Sequence, residues 1–168
     1  MKKTLAFATL LVACGSNKTI KATTNTSTAA QECVATEPSQ LVSVSDEIKA
    51  DTHWTADKVY RLEAHIFVRN GATLQIDAGT TVLGASGSSL VISAGSKLDA
   101  VGTAQKPIVF TSCRPVGERK PGDWGGVVLL GRAPINVVDK DGTPTTENVE
   151  GFDATARNEP ELVTYRAQ

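Results

Sequence analysis

Three cysteines carry most of the chemical information in this 168-residue sequence. Cys14 closes the run Leu11-Val12-Ala13-Cys14, where an apolar stretch stops. A thiol there can take a thioether-linked diacylglycerol, and the small residues before it fit the peptidase that exposes it as a new first residue. The run reads as a bacterial lipobox with lipid attachment at Cys14; an ordinary signal peptide with an incidental cysteine is the competing reading. Cys33 and Cys113 are left over. In an oxidising periplasm or on a cell surface they are candidates for a disulfide, with two free thiols as the alternative.

The remaining chemistry-bearing residues do not assemble into a catalytic set. His53 and His65 stand twelve residues apart with no Cys or third His at ligand spacing, so no metal site is expected. Asp139-Lys140-Asp141-Gly142 opens like a calcium loop but lacks the third oxygen ligand and the distal Glu, which leaves a turn. Asp77 and Asp99, the acids that a polysaccharide hydrolase would need as a facing pair, fall at different repeat positions: Asp77 aligns with Val101, and Asp99 with Gln75. Asp123-Trp124-Gly125-Gly126 has the parts of a sugar-stacking platform, but Trp124 is better read as packing over the fold with the glycines turning a corner. A phosphate loop, a nucleophile elbow and a dinucleotide fingerprint are all missing. No catalytic residue and no cofactor is expected.

What must hold these residues divides into four segments. Residues 1–13 form a signal peptide: Lys2 and Lys3 supply a positive start and Thr4–Ala13 an apolar core of ten residues, too short to span a bilayer. Gly15 after the lipidated cysteine resembles the outer-membrane-sorted kind of lipoprotein, facing the periplasm or the surface. Removing the two lysines leaves 15 basic against 18 acidic residues, a net charge of −3. Nucleic acid is therefore excluded as a partner, and a membrane is held through lipid alone. Residues 14–40, rich in Thr, Ser and Ala, bury too little to offset ordering entropy and are expected to be a flexible tether. Residues 41–152 form the folded body, and 153–168 an irregular tail.

The body repeats. Ile66–Leu74 aligns with Leu90–Leu98 at a spacing of 24, placing Gly71 on Gly95 and Leu74 on Leu98. A weaker copy, Val127–Ile135, follows Leu90 by 37, one unit plus a thirteen-residue insertion assigned to Ser112–Gly122. Short strands are expected at 59–62, 66–69, 73–76, 81–83, 90–93, 97–100, 108–111 and 127–130. Leu74, Ile76, Leu98 and Ala100 point inward, while Thr73, Gln75, Lys97 and Asp99 point outward. A chain that coils once per repeat sets residue i beside i+24 at the usual inter-strand spacing of about 4.8 Å. Gly71, Gly79, Gly95 and Gly102 are the expected corners. The fold class is all-β, a parallel β-solenoid of a few coils; an antiparallel sandwich predicts no fixed register between non-adjacent strands.

Four segments also resemble a known family: Trp54–Leu62, Gly71–Thr80, Lys106–Ser112 and the specific run Pro121-Gly-Asp-Trp-Gly-Gly-Val-Val-Leu-Leu-Gly131. The chain is similar over about 42–152 to uncharacterised bacterial lipoproteins of the right-handed, pectin-lyase-like parallel β-helix type. The relatives run on through many further coils, so the resemblance implies an N-terminal portion. Residues 42–62 are expected to cap the first coil through Ile48, Trp54 and Leu62, whereas residues 137–168 supply no apolar lid. An uncovered last coil invites self-association. The function expected is that of a non-enzymatic surface lipoprotein whose loops bind a carbohydrate or protein ligand or serve a structural role. The alternative is the N-terminal fragment of a polysaccharide lyase or glycoside hydrolase.

Overall fold

The computed structural model describes Cys33, residues 40–132, 136–143, 145, 147–149, 151–152 and 164–165. The signal peptide, Cys14, the tether apart from Cys33 and Gln40, and the tail apart from Thr164 and Tyr165 lie outside the described residues.

Every element among the described residues is a short strand: β1 (Leu41–Val44), β2 (Thr52–Trp54), β3 (Val59–Leu62), β4 (His65–Val68), β5 (Thr73–Ile76), β6 (Thr81–Gly84), β7 (Ser89–Ile92), β8 (Lys97–Asp99), β9 (Val109–Ser112), β10 (Val127–Leu129), β11 (Glu147–Asn148) and β12 (Thr164–Tyr165). Three parallel sheets take these strands in rotation. Sheet A runs β1-β3-β6-β9, sheet B β4-β7-β10 and sheet C β2-β5-β8. The chain therefore visits A, B and C in turn and climbs one rung per circuit, which makes a parallel β-helix. Among the described residues only β11 and β12 pair antiparallel, β11 at the end of the expected body and β12 in the stretch expected to be irregular. A sandwich is excluded by the parallel ladders.

The 24-residue register is met where the repeat is clearest. His65 faces Ser89, Thr73 faces Lys97 and Leu74 faces Leu98, each at an offset of 24. Elsewhere the coil length varies. Leu41 faces Val59 at an offset of 18, Thr81 faces Val109 at 28 and Leu90 faces Val127 at 37. The growth from 24 to 28 to 37 splits the expected thirteen-residue insertion. Four residues enter at the corner between β8 and β9, and nine between β9 and β10. That first corner also corrects the reading of Gly102, which does not take positive φ as Gly71, Gly79 and Gly95 do. It serves instead as a close-approach point: a Cβ there would sit 3.0 Å from the backbone nitrogen of Ile108.

The expected N-terminal cap is a coil in its own right. β1 lies on sheet A, β2 on sheet C, and Ile48 makes a single bridge to Val68 that stands for the missing strand of sheet B. Ile48 N–H donates to Phe67 O and Arg69 N–H donates to Ile48 O, at 2.8 and 2.9 Å. Trp54 closes this coil by stacking on Tyr60, ring centroids 4.5 Å apart and planes within 11°. Ile48, Trp54 and Leu62 are all buried in the core cluster; that they sit on a separate coil carried no repeat signal, because its offsets are 18 and 22 rather than 24.

Inside the helix, like stacks on like. Leu62, Ile66, Val68, Leu74, Ile76, Val82, Leu90 and Ile92 form one buried cluster. Fully burying each such side chain contributes roughly 1.5–3 kcal/mol. On sheet C the column is half-open by the third coil, at Leu98 over the buried Leu74; on sheet B the columns stay dry until the fourth. Ile66, Leu90 and Val127 share one column with exposures of 0%, 0% and 37%, and Val68, Ile92 and Leu129 share another with 0%, 4% and 61%. Among the described residues no further strand stacks on β8, β9 or β10. Residues beyond the fourth coil pack sideways instead: Val149 and Phe152 lie against Phe67, Val91, Val128 and Leu130 on the outer face of sheet B.

Trp124 partly closes the interior at this level, where the long insertion re-enters. A methyl group on Gly84 would overlap the Trp124 ring, so the strand end of β6 is bare to admit it. Replacing Gly84 by Ala should destabilise the fold by about 1–3 kcal/mol through overpacking. Trp124→Ala alone should also destabilise, yet the pair together should cost less than the sum. Urea midpoints of the four proteins check this, and strict additivity would place the ring elsewhere.

Candidate functional site

The strongest local feature outside the core is covalent. Cys33 and Cys113 are joined in a disulfide across 80 residues, with Cα atoms 4.7 Å apart. Cys113 directly follows β9, and its N–H donates to Gly84 O at 2.9 Å, which continues the ladder of sheet A past the strand end. The side chain is 2% exposed. The bridge thus joins a residue upstream of the first coil to the last strand of sheet A.

The outer faces of the sheets carry the polar groups. On sheet C, His53 of β2 and Gln75 of β5 are in register, and Asp99 of β8 stands over Gln75. The Asp99 carboxylate therefore faces an amide and not a second acid. Asp77, just past β5, lies 2.7 Å from His53 Nε2 through its Oδ1. Asp51 accepts the N–H of Thr73 at 2.8 Å. Between them is an open hollow of about 280 Å³ lined by Asp51, Thr52, His53, Thr73 and Gln75.

A second hollow, of about 380 Å³, lies between the first-coil segment at Ser45–Lys49 and Ala64–His65. His65 Nδ1 is 2.8 Å from Ser89 Oγ one coil later, and the imidazole lies tilted by 51° against Phe152 with centroids 4.7 Å apart. Ser89 is fully buried, which removes it as an accessible nucleophile. Glu47 at the hollow's rim pairs with Lys49 at 3.0 Å and Arg69 at 3.2 Å. Partial burial opposes the Glu47 charge, but the Lys49 hydrogen bond and the two cations outweigh it and hold the carboxyl below its ordinary value. On sheet A, Arg61 Nε donates to Glu63 at 2.6 Å, and Ser43 Oγ donates to the same carboxylate at 2.9 Å.

The segments singled out for other chemistry have structural roles in their surroundings. Asp123 accepts the N–H of Lys120 at 2.8 Å, the largest cause of its lowered pKa, and lies 3.5 Å from Arg114. It orders the insertion beside the packed Trp124. Asp139 Oδ1 accepts the N–H groups of Asp141 and Thr143, both at 2.9 Å, and so turns the chain inward on itself. Among the described residues there is no group of three or more His, Cys, Asp or Glu placed to hold a metal ion. No described helix is long and apolar enough to cross a membrane.

Two contacts were missed in the sequence reading, His53 with Asp77 and His65 with Ser89. Both are separated by 24 residues. The repeat that aligned the aliphatic residues contains the spacing of His65 and Ser89, which are in register; His53 is in register with Gln75, and its contact with Asp77 is a diagonal one that the repeat does not give.

This geometry is matched by the family comparison. A model of the pectate-lyase-like β-helix domain matches residues 46–154, about two thirds of the chain. The chain belongs to that family. No curated protein and no solved structure matches it. The matched range of this pectate-lyase-like β-helix protein begins within the first coil and ends just past Phe152, so it takes in the insertion, Trp124 and the segment lying across sheet B.

Removing the Cys33–Cys113 bridge frees a loop of 80 residues in the unfolded chain. On the chain-entropy model the Cys33→Ser/Cys113→Ser protein should lose on the order of 4 kcal/mol of stability. Urea unfolding with and without the substitutions measures this. A loss below about 1 kcal/mol would show that the bridge closes no loop the folded state needs.

Proposed function

We propose that this β-helix is a lipid-anchored scaffold of the bacterial cell envelope with a binding or structural role and no catalysis. The observation that carries the reading is the pairing on its outer faces. His53 is engaged with Asp77, His65 with Ser89, Arg61 with Glu63, and Glu47 with both Lys49 and Arg69. Three of these pairs, His53–Asp77, His65–Ser89 and Glu47–Arg69, join neighbouring coils, and side chains engaged in this way stiffen the solenoid and are not poised toward a reacting atom. Asp99, facing Gln75, offers none of the paired carboxylates that glycoside hydrolysis requires. One scaffold hosts many functions, so the family alone does not make this member a lyase.

Anchoring is supported by Leu11-Val12-Ala13-Cys14, and Gly15 after it favours the outer membrane. Several acyl chains on Cys14 would hold stably where one holds marginally, at roughly 0.8 kcal/mol per buried CH₂. Radiolabelled palmitate should enter the expressed protein and be lost in Cys14→Ala. Equal labelling of both proteins would sink the anchor. Incubation with polygalacturonan should leave its chain length unchanged, and depolymerisation would replace the scaffold reading with the enzyme-fragment one.

The partner of the open end is a second copy of the chain. β8, β9 and β10 each pair with one strand only among the described residues, and Leu129 and Val127 stand bare in the column positions. Unpaired edges over exposed aliphatics favour strand addition. Sedimentation should show association that rises with concentration, and Leu129→Lys should weaken it at least tenfold. A compact monomer at all concentrations would refute this partner.

A further inference from the structure

The two cysteines of the bridge stand in unlike surroundings. Cys113 is 2% exposed, whereas Cys33 is only half-buried. Cys113 is also fixed by bonds that owe nothing to the disulfide. Its N–H donates to Gly84 O at 2.9 Å, and the N–H of Arg114 donates to Ser112 Oγ at 3.1 Å. Arg119 Nε donates to Arg114 O at 2.9 Å, and the Arg114 guanidinium lies 3.5 Å from Asp123 Oδ1. Among the described residues, by contrast, the disulfide is the one bond that fastens Cys33 to the body. Neither cysteine belongs to the two buried clusters that hold the coils together.

We infer that Cys33 is a site of reversible modification by thiols and that Cys113 is its resolving partner. A disulfide opens by attack of a thiolate on one of its sulfurs, and access decides which one. Attack runs in line with the sulfur–sulfur bond, so a thiolate aimed at Cys113 Sγ must pass through the residues that bury Cys113. Cys33 Sγ is met from the solvent side while the coils stay stacked. An external thiolate, from a small thiol or a protein dithiol, bonds to Cys33 Sγ as the Cys33–Cys113 bond breaks. The external sulfur is oxidised, and Cys113 leaves as a thiolate that takes a proton from water. Its ladder bond to Gly84 keeps Cys113 in place. Cys33 stays in the same chain at high effective concentration, so Cys113 attacks it and expels the external thiol once that thiol becomes scarce. The bridge is thus a latch on the fourth coil, opened by thiols without disturbing either cluster. Lipid attachment at Cys14 plays no part in this inference.

The test uses the full chain carrying Cys14→Ala, which leaves Cys33 and Cys113 as its two cysteines. The folded, oxidised protein is treated with reduced glutathione, quenched with N-ethylmaleimide and mapped by peptide mass spectrometry. Glutathione should be found on Cys33 at least tenfold more often than on Cys113, with N-ethylmaleimide on Cys113. The rate should rise in proportion to glutathione and stay level as urea is added below the unfolding transition. Equal labelling of the two cysteines, or a rate that climbs with urea, would overturn the inference, since the bridge would then be reached through opening of the fold. So would a bridge that resists glutathione in the folded chain and yields to it only after unfolding. Removing glutathione should restore the bridge with release of one glutathione per chain, and a mixed disulfide that persists would rule out Cys113 as the resolving partner.

Discussion

The structure depends on one constraint: a side chain pointing inward must land on its counterpart from the coil below. Parallel ladders set neighbouring strands about 4.8 Å apart. Each strand contributes only two inward residues, so a shift of one residue would turn both outward. Leu74 under Leu98 and Ile66 under Leu90 show the rule kept on two different sheets. Because every coil touches only its neighbours, stability accumulates locally and is weakest at the ends.

The irregularities of the chain follow from that rule. Strand registers tolerate no insertion, so extra residues collect at corners. Four enter between β8 and β9 and nine between β9 and β10, while the strands on either side remain in step. The larger insertion returns its own apolar residue to the core through Trp124, which takes the volume left bare at Gly84. Corners also carry the covalent link, at Cys113. Where the ladder stops, the columns open to water at Val127 and Leu129. Among the described residues no strand continues the ladders past β8, β9 and β10.

The site chemistry is a by-product of the same stacking. Residues at one outward position meet residues one coil on, so His65 meets Ser89, whereas His53 stands in register with Gln75 and reaches diagonally to Asp77. The repeat needed to see the His65 pair was visible in the aliphatic positions; the His53 pair depends on the 22-residue register of its own coil. The first coil was not visible, because its shorter circuit aligned with nothing. Nor was the packing of Phe152 on His65 and Phe67, since a lone aromatic after a polar stretch carries no period. Within residues 137–168, where the sequence offers no apolar lid, the sideways packing of Val149 and Phe152 on sheet B carried no signal either.

By itself, the sequence determined the architecture. Alternating apolar residues, short strands between glycines and a 24-residue echo admit a parallel coil, because no other chain path brings those positions together in one direction. Only the tertiary structure decided the lengths of the individual coils, the division of the insertion and the seat of Trp124. The physical reason is locality. Inward and outward alternation is written strand by strand, but the volume available to a ring, the partner of a buried cysteine and the covering of an outer face depend on surfaces that exist only after the coils have stacked.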